Sequence, residues 1–130
     1  MSTEKELVVI GGGAAGMMAA VAAARFGAAV TILEKNDRPG RKLRITDKGR
    51  CNLTNHCERD TFFASIPGNA RFLYSAWNRF STSDTEAFFE ELGVPLKVER
   101  GNRVFPVSDQ ATDVVDALVR ECRRCGVRIL

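Results

Sequence analysis

Apolar and polar positions divide the chain into alternating blocks. Leu7-Val8-Val9-Ile10 is an unbroken, mostly β-branched run, the pattern of a strand buried on both faces. A glycine cluster follows, and then an alanine- and methionine-rich stretch to Arg25 that suits a helix ending near Gly27. Ala29-Val30-Thr31-Ile32-Leu33 predicts a second strand. Asn36 to Asn55 is polar, basic and without periodicity, and predicts a loop.

Three further helices are predicted. One runs from Asn69 to Phe80, with Phe72, Leu73, Ala76, Trp77 and Phe80 on one stripe. Ser83 with Glu86 forms a capping box that opens a second, which buries Phe88, Phe89 and Leu92 and stops at Gly93. Ser108 is placed to cap the third, where Ala111, Val114, Val115, Leu118, Val119 and Cys122 give the cleanest amphipathic pattern in the chain. Between the last two, Leu96–Glu99 and Arg103–Phe105 flank Arg100-Gly101-Asn102 as a small hairpin. Val127 to Leu130 predicts a third strand of the first sheet.

The first block carries chemistry. Gly11-Gly12-Gly13-Ala14-Ala15-Gly16 is a G-x-G-x-x-G between a strand and a helix, and Glu34 stands eighteen residues beyond Gly16 at the end of the next strand. In a dinucleotide turn Gly11 permits the tight bend, Gly13 lets backbone approach a pyrophosphate, and Gly16 lets helix and strand pack closely. Helix amides face the phosphates, and Glu34 accepts hydrogen bonds from a ribose. A glycine-rich turn that served packing alone would need no acid at that distance.

Composition adds limits. The chain has 130 residues, 45% of them hydrophobic, and a net charge of +3, which gives no push toward nucleic acid or an anionic membrane. The apolar run Ala14 to Ala24 is too short for a bilayer span, and the expected location is cytoplasmic. Length predicts one domain over residues 1–130, yet a doubly wound sheet needs about five strands and three are in view. The expectation is therefore a partial Rossmann-like α/β domain: a parallel sheet of order 3-2-1, inserted helices and a hairpin. Cys51, Cys57, Cys122 and Cys125 have irregular spacing for zinc, and Cys122-x-x-Cys125 lies at the wrong end of a helix for an activated thiol, so no metal is expected. His56 is the only histidine, and no triad is suggested.

Beyond these features, Pro39-Gly40-Arg41-Lys42-Leu43, Gly49-Arg50-Cys51-Asn52-Leu53-Thr54-Asn55, Gly68-Asn69-Ala70-Arg71-Phe72 and Arg103-Val104-Phe105-Pro106-Val107-Ser108 resemble segments of the HI0933-like flavoproteins. These are NAD(P)/FAD-dependent oxidoreductases that include a bile-acid-pathway type of bacterial reductase. The resemblance covers the whole chain and implies FAD, with NAD(P)H as reductant of the full-length enzyme and a small-molecule substrate. Its cofactor contacts would fall on Gly11, Gly13, Ala14, Ala15, Gly16, Glu34, Lys35, Gly40, Arg41, Lys42, Thr46, Arg50, Cys51 and Asn52. Asp47 departs from the family, which often has glycine there. Full-length members are considerably longer, so the chain is expected to lack the flavin-ring pocket, to be inactive alone and to self-associate.

Other readings stay open. An NAD-type dehydrogenase would use the same turn and Glu34, although the basic Pro39-to-Asn55 segment favours FAD. A third reading is a nucleic-acid or zinc module built on the basic segment and the four cysteines, but the basic run has no interleaved aromatic residues and a phosphate-contacting loop already accounts for its charge. The residues nominate no catalytic acid or base, because hydride chemistry would belong to the flavin. Cys51 beside Arg50 is the tempting exception, and a lining role is preferred for it.

Overall fold

In the computed structural model, which describes residues 4–130, β1 (Glu6–Ile10) and β2 (Ala29–Leu33) lie parallel, with Val9 opposite Ile32. Helix α1 (Ala14–Arg25) makes the crossover between them. The final strand of this sheet, Arg128–Ile129, pairs parallel to β2 on its other side, giving the 3-2-1 order expected from the sequence. The fold is α/β with a parallel sheet, and β1 is an edge among the described residues.

The core lies on one face of that sheet. Met17, Ala20 and Val21 of α1 pack with Val30 and Ile32 and with Val114, Leu118 and Cys122 of the long C-terminal helix Ala111–Arg124. That helix buries the stripe its sequence predicted. β1 differs from expectation, for it is not buried on both faces. Side chains alternate across a strand, and Val8, Ile10 and Leu33 point away from the helices, with Val8 and Ile10 59% and 80% exposed.

The segment 36–55 is more ordered than a loop. It holds α2 (Arg41–Ile45), a turn over Thr46–Gly49 in which Asp47 and Lys48 take left-handed conformations, and a two-residue strand, β3 (Thr54–Asn55). β3 joins β4 (Leu96–Glu99) and β5 (Arg103–Pro106) in an antiparallel sheet ordered β3-β5-β4, so the predicted hairpin gains a third strand. With β4 and β5 named, the last strand Arg128–Ile129 is β6.

The helices differ from the sequence reading in four places. A short α3 (Arg59–Ala64) was not expected. The stripe over 69–80 breaks into a 3-10 turn (Ala70–Leu73) and α4 (Tyr74–Arg79). Its aromatics pack on α3, with Phe62 and Trp77 ring centroids 4.6 Å apart, while Phe72 is 81% exposed. Helix α5 (Thr82–Glu91) is capped by Ser81 with Asp84, two positions before the predicted box. The earlier start lets Thr82 bury itself and donate to the Cys57 carbonyl at 2.9 Å. The helix Ala111–Arg124, α6, starts after Gln110 without a side-chain cap. Ser108 instead accepts from the Gln110 amide, because Asp109 takes a left-handed conformation between them.

Candidate functional site

The turn between β1 and α1 is built around four glycines with different duties. Gly11 needs its positive φ of 97°, and its amide donates to the Leu33 carbonyl at 2.8 Å. A Cβ on Gly16 would lie 1.9 Å from the Gly11 carbonyl oxygen, so only glycine permits this approach of helix to turn. Gly12 is buried, and its amide donates to Oε1 of Glu34 at 3.0 Å. Gly13 is unlike the others. Its φ is an ordinary −85°, it is exposed, and an added Cβ would meet nothing within 4 Å. The fold itself gives no reason for glycine there; a ligand lying against the backbone would.

The open end of α1 suits an anion. No side chain caps it and its first turn holds no acidic residue, so the amides of Ala14, Ala15 and Gly16 have no intrahelical partner. Ala14 and Ala15 are exposed. The positive end of a twelve-residue helix dipole adds to these donors. Glu34 waits beside them, with Oε2 accepting from the amide and the side chain of Asn36 at 3.1 and 3.0 Å. The Gly12 amide, followed by that of Asn36, holds its carboxyl below the ordinary carboxylate range. Oε2 already accepts two bonds, while Oε1 accepts one and keeps a lone pair for a ribose hydroxyl.

The segment after Glu34 is anchored to this turn by Gly40. Its amide donates to the Gly12 carbonyl at 2.7 Å, and a Cβ there would come within 2.7 Å of Val115 Cγ1. Lys35, Arg41 and Lys42 are exposed around the same region, and Arg41 reaches Asn36 Oδ1 at 3.4 Å. Thr46 receives the Cys51 amide on its carbonyl at 3.2 Å. Cys51 is buried with φ +63°, and burial pushes its thiol pKa up, opposite to the shift an activated thiol requires. Ala14, Ala15, Met18, Cys51, Asn52 and Leu53 line part of one cavity of about 300 Å³, which joins the helix start to the Cys51-Asn52 run.

Arg50 points elsewhere. Its guanidinium bonds Asp109 at 2.8 Å and Glu99, and lies 3.9 Å from the Phe105 ring centroid. Lys97 completes the cluster at 2.7 Å from Asp109. The Asp47 carboxylate pairs with Arg103 at 3.7 Å, and its φ of +45° is a conformation that glycine adopts freely. Gly12 and Asn36, which hold Glu34 by hydrogen bonds, are contacts the sequence reading missed; Asn36, two positions past the acid, was the available signal. Cys122 is fully buried near the Met17 carbonyl, with its thiol pushed up to about 11 by burial. No group of three or more His, Cys, Asp or Glu among the described residues could hold a metal ion, and no described helix is long and apolar enough to cross a membrane.

Residues 5–130 match the family model of the HI0933-like protein Rossmann domain. A 3-dehydro-bile acid delta(4,6)-reductase from Clostridium scindens is 41% identical over 93% of this chain and 29% of its own length. The ribosomal RNA dihydrouridine synthase of Haemophilus influenzae is 31% identical over the whole chain and 32% of its own length. The chain thus spans about a third of the length of the curated relatives it matches. Among solved structures, a 3-ketosteroid-delta4-(5alpha)-dehydrogenase from Rhodococcus jostii superposes on the whole chain and 38% of its own with a TM-score of 0.70 at 16% identity. THI4 from Thermovibrio ammonificans does so over 98% of this chain and 38% of its own, with a TM-score of 0.64 at 14% identity. These two establish likeness of fold.

Proposed function

The chain belongs to the HI0933-like Rossmann-domain family, and from that membership we propose that it forms the FAD-binding N-terminal portion of a cytoplasmic flavin-dependent oxidoreductase. The observation that supports this most directly is Gly13, a glycine whose missing side chain leaves room for something outside the chain. FAD, when bound, supplies the ring that carries hydride, with NAD(P)H as the proposed electron source. The residues fit its adenosine end. The amides of Ala14, Ala15 and Gly16 would receive the pyrophosphate, and Glu34, already aligned by Gly12 and Asn36, would accept a ribose hydroxyl on Oε1. Lys35, Arg41 and Lys42 would add positive charge at the rim. Cys51 and Asn52, across the cavity from Ala14 and Ala15, would line the route toward the flavin.

For the whole protein, the finer reading is reduction of a ring carbon–carbon double bond in a small molecule. One relative's name is a reductase of a delta(4,6) bile acid and the other makes dihydrouridine; addition of hydrogen across such a bond is the chemistry those names share. The test is flavin retention. The whole protein carrying this chain should purify with FAD absorbance, and Gly13→Val should purify without it. Equal FAD content in parent and variant overturns the assignment.

A further inference from the structure

Arg50 is committed to the protein's own acids, yet it immediately precedes the wall of the cavity beside α1. Its Nε and Nη2 both donate to Asp109 Oδ1, at 3.0 and 2.8 Å, and Nη2 also donates to Glu99. The guanidinium lies over the ring of Phe105, which is fully buried in β5. Lys97 bridges the same pair of acids from β4, at 2.7 Å from Asp109 and 3.2 Å from Glu99. Cys51, Asn52 and Leu53 line the cavity beside Ala14 and Ala15, whereas Arg50, Glu99 and Asp109 do not.

The turn that Arg50 fastens is strained. Asp47, Lys48 and Cys51 have φ of +45°, +57° and +63°, a region that residues with a Cβ rarely adopt. Such backbone persists where its surroundings hold it, and it gathers at ligand clamps. Here the antiparallel sheet does the holding. Asp47 pairs with Arg103 and Arg50 with Glu99 and Asp109, while the Asn52 side chain and the Leu53 amide both donate to the Val104 carbonyl, at 3.1 and 2.9 Å. These anchors bracket Cys51 from both sides in sequence. One side of the cavity, formed by Ala14, Ala15 and Met18, belongs to α1, which the core fixes. The opposite side lies wherever the sheet holds this turn.

We propose that Arg50, Glu99 and Asp109 are positioning residues for the cofactor: they fasten the strained turn to the β4–β5 hairpin and so set how far the Cys51–Asn52 wall stands from the start of α1. The proposal rests on the FAD reading, and the sign of one effect separates it from a direct contact between Arg50 and FAD. The pyrophosphate of FAD is anionic. Glu99→Gln and Asp109→Asn each remove a negative charge and release the guanidinium, so electrostatics alone would leave FAD binding unchanged or tighten it. A fastening that sets the wall predicts the opposite. Calorimetric titration of FAD into apoprotein, made from the whole protein carrying this chain, should show about tenfold weaker binding for each variant. The visible absorbance band of the FAD still bound should also be displaced from its place in the parent, which a loss of stability alone would not do. Asparagine accepts the left-handed φ of +57° at position 109 as readily as aspartate. Circular dichroism checks both folds, and should Asp109→Asn unfold, Glu99→Gln carries the test. Unchanged or tighter FAD binding in the folded variants, or weaker binding with an unmoved band, overturns this proposal alone. A parent that binds no FAD overturns the cofactor reading and this proposal with it.

Discussion

The amide of Gly12 and the carboxylate of Glu34 meet at 3.0 Å across 22 positions of sequence. This contact closes the β1–α1 turn onto the end of β2 and fixes one carboxylate oxygen before any ligand arrives. Asn36 fixes the other. Preorganisation of this kind lowers the ordering cost of binding.

Glu34→Gln should therefore weaken FAD binding by the whole protein roughly tenfold, because an amide offers one acceptor oxygen in place of two and carries no charge. Titration calorimetry on apoprotein reads this directly. Unchanged affinity would confine Glu34 to holding the turn.

Gly13 and Gly16 should separate binding from folding. Gly16→Ala forces a Cβ to within 1.9 Å of the Gly11 carbonyl oxygen unless the backbone shifts, and overpacking of that kind costs about 1–3 kcal/mol or more. At Gly13 an added Cβ meets nothing within 4 Å, so the unfolding midpoint of Gly13→Val should stay close to that of the parent when both are apoprotein, while flavin is lost. Urea unfolding of both variants checks the contrast. A large loss of stability in Gly13→Val would make that glycine structural.

Local pattern made part of this molecule legible. The strand, G-x-G-x-x-G, helix, strand and acid were readable because each step is set by residues a few positions apart. The stripe from Ala111 to Cys122 was readable for the same reason. Arg50 was not, since its partners Glu99 and Asp109 lie 49 and 59 positions away and nothing near it in sequence announces them. β3 is two residues long and exists because β5 pairs with it; its own composition carries no strand signal. At α5 two capping registers were written side by side, and burial of Thr82 selects the earlier one.

Glu121 gives a pH dependence. Its side chain is 5% exposed on α6 and accepts from Arg124 and from Arg25, the latter at 3.0 Å. Arg124 first, and then Arg25, hold its carboxyl at about 2 against an ordinary value of 4.5. A folded pKa below the unfolded one means that the stabilisation is complete above pH 4.5 and is lost as pH falls toward 2. The two arginines are partly exposed, 43% and 68%, so solvent screens the pair. Glu121→Gln should cost on the order of 1–2 kcal/mol at neutral pH, and the difference from the parent should shrink on acidification. A constant difference from pH 7 to pH 2 would assign the loss to packing.

The bare edge of β1 predicts self-association of the chain on its own. β1 pairs only with β2 among the described residues, which leaves a row of unpaired amides and carbonyls along Glu6 to Ile10. On the uncovered face Val8, Ile10 and Leu33 are exposed, and such an edge recruits another strand. A second copy could pair antiparallel about a two-fold axis, with Val8 opposite its own counterpart and Glu6 opposite Ile10. Val8→Lys would place like charges face to face across that axis, where repulsion is strongest, and Val8 is exposed enough for the fold to accept the change. Light scattering should give a mass that rises above one chain with concentration for the parent and stays at one chain for Val8→Lys. A parent that remains monomeric, or a variant that associates equally, would move the contact away from β1.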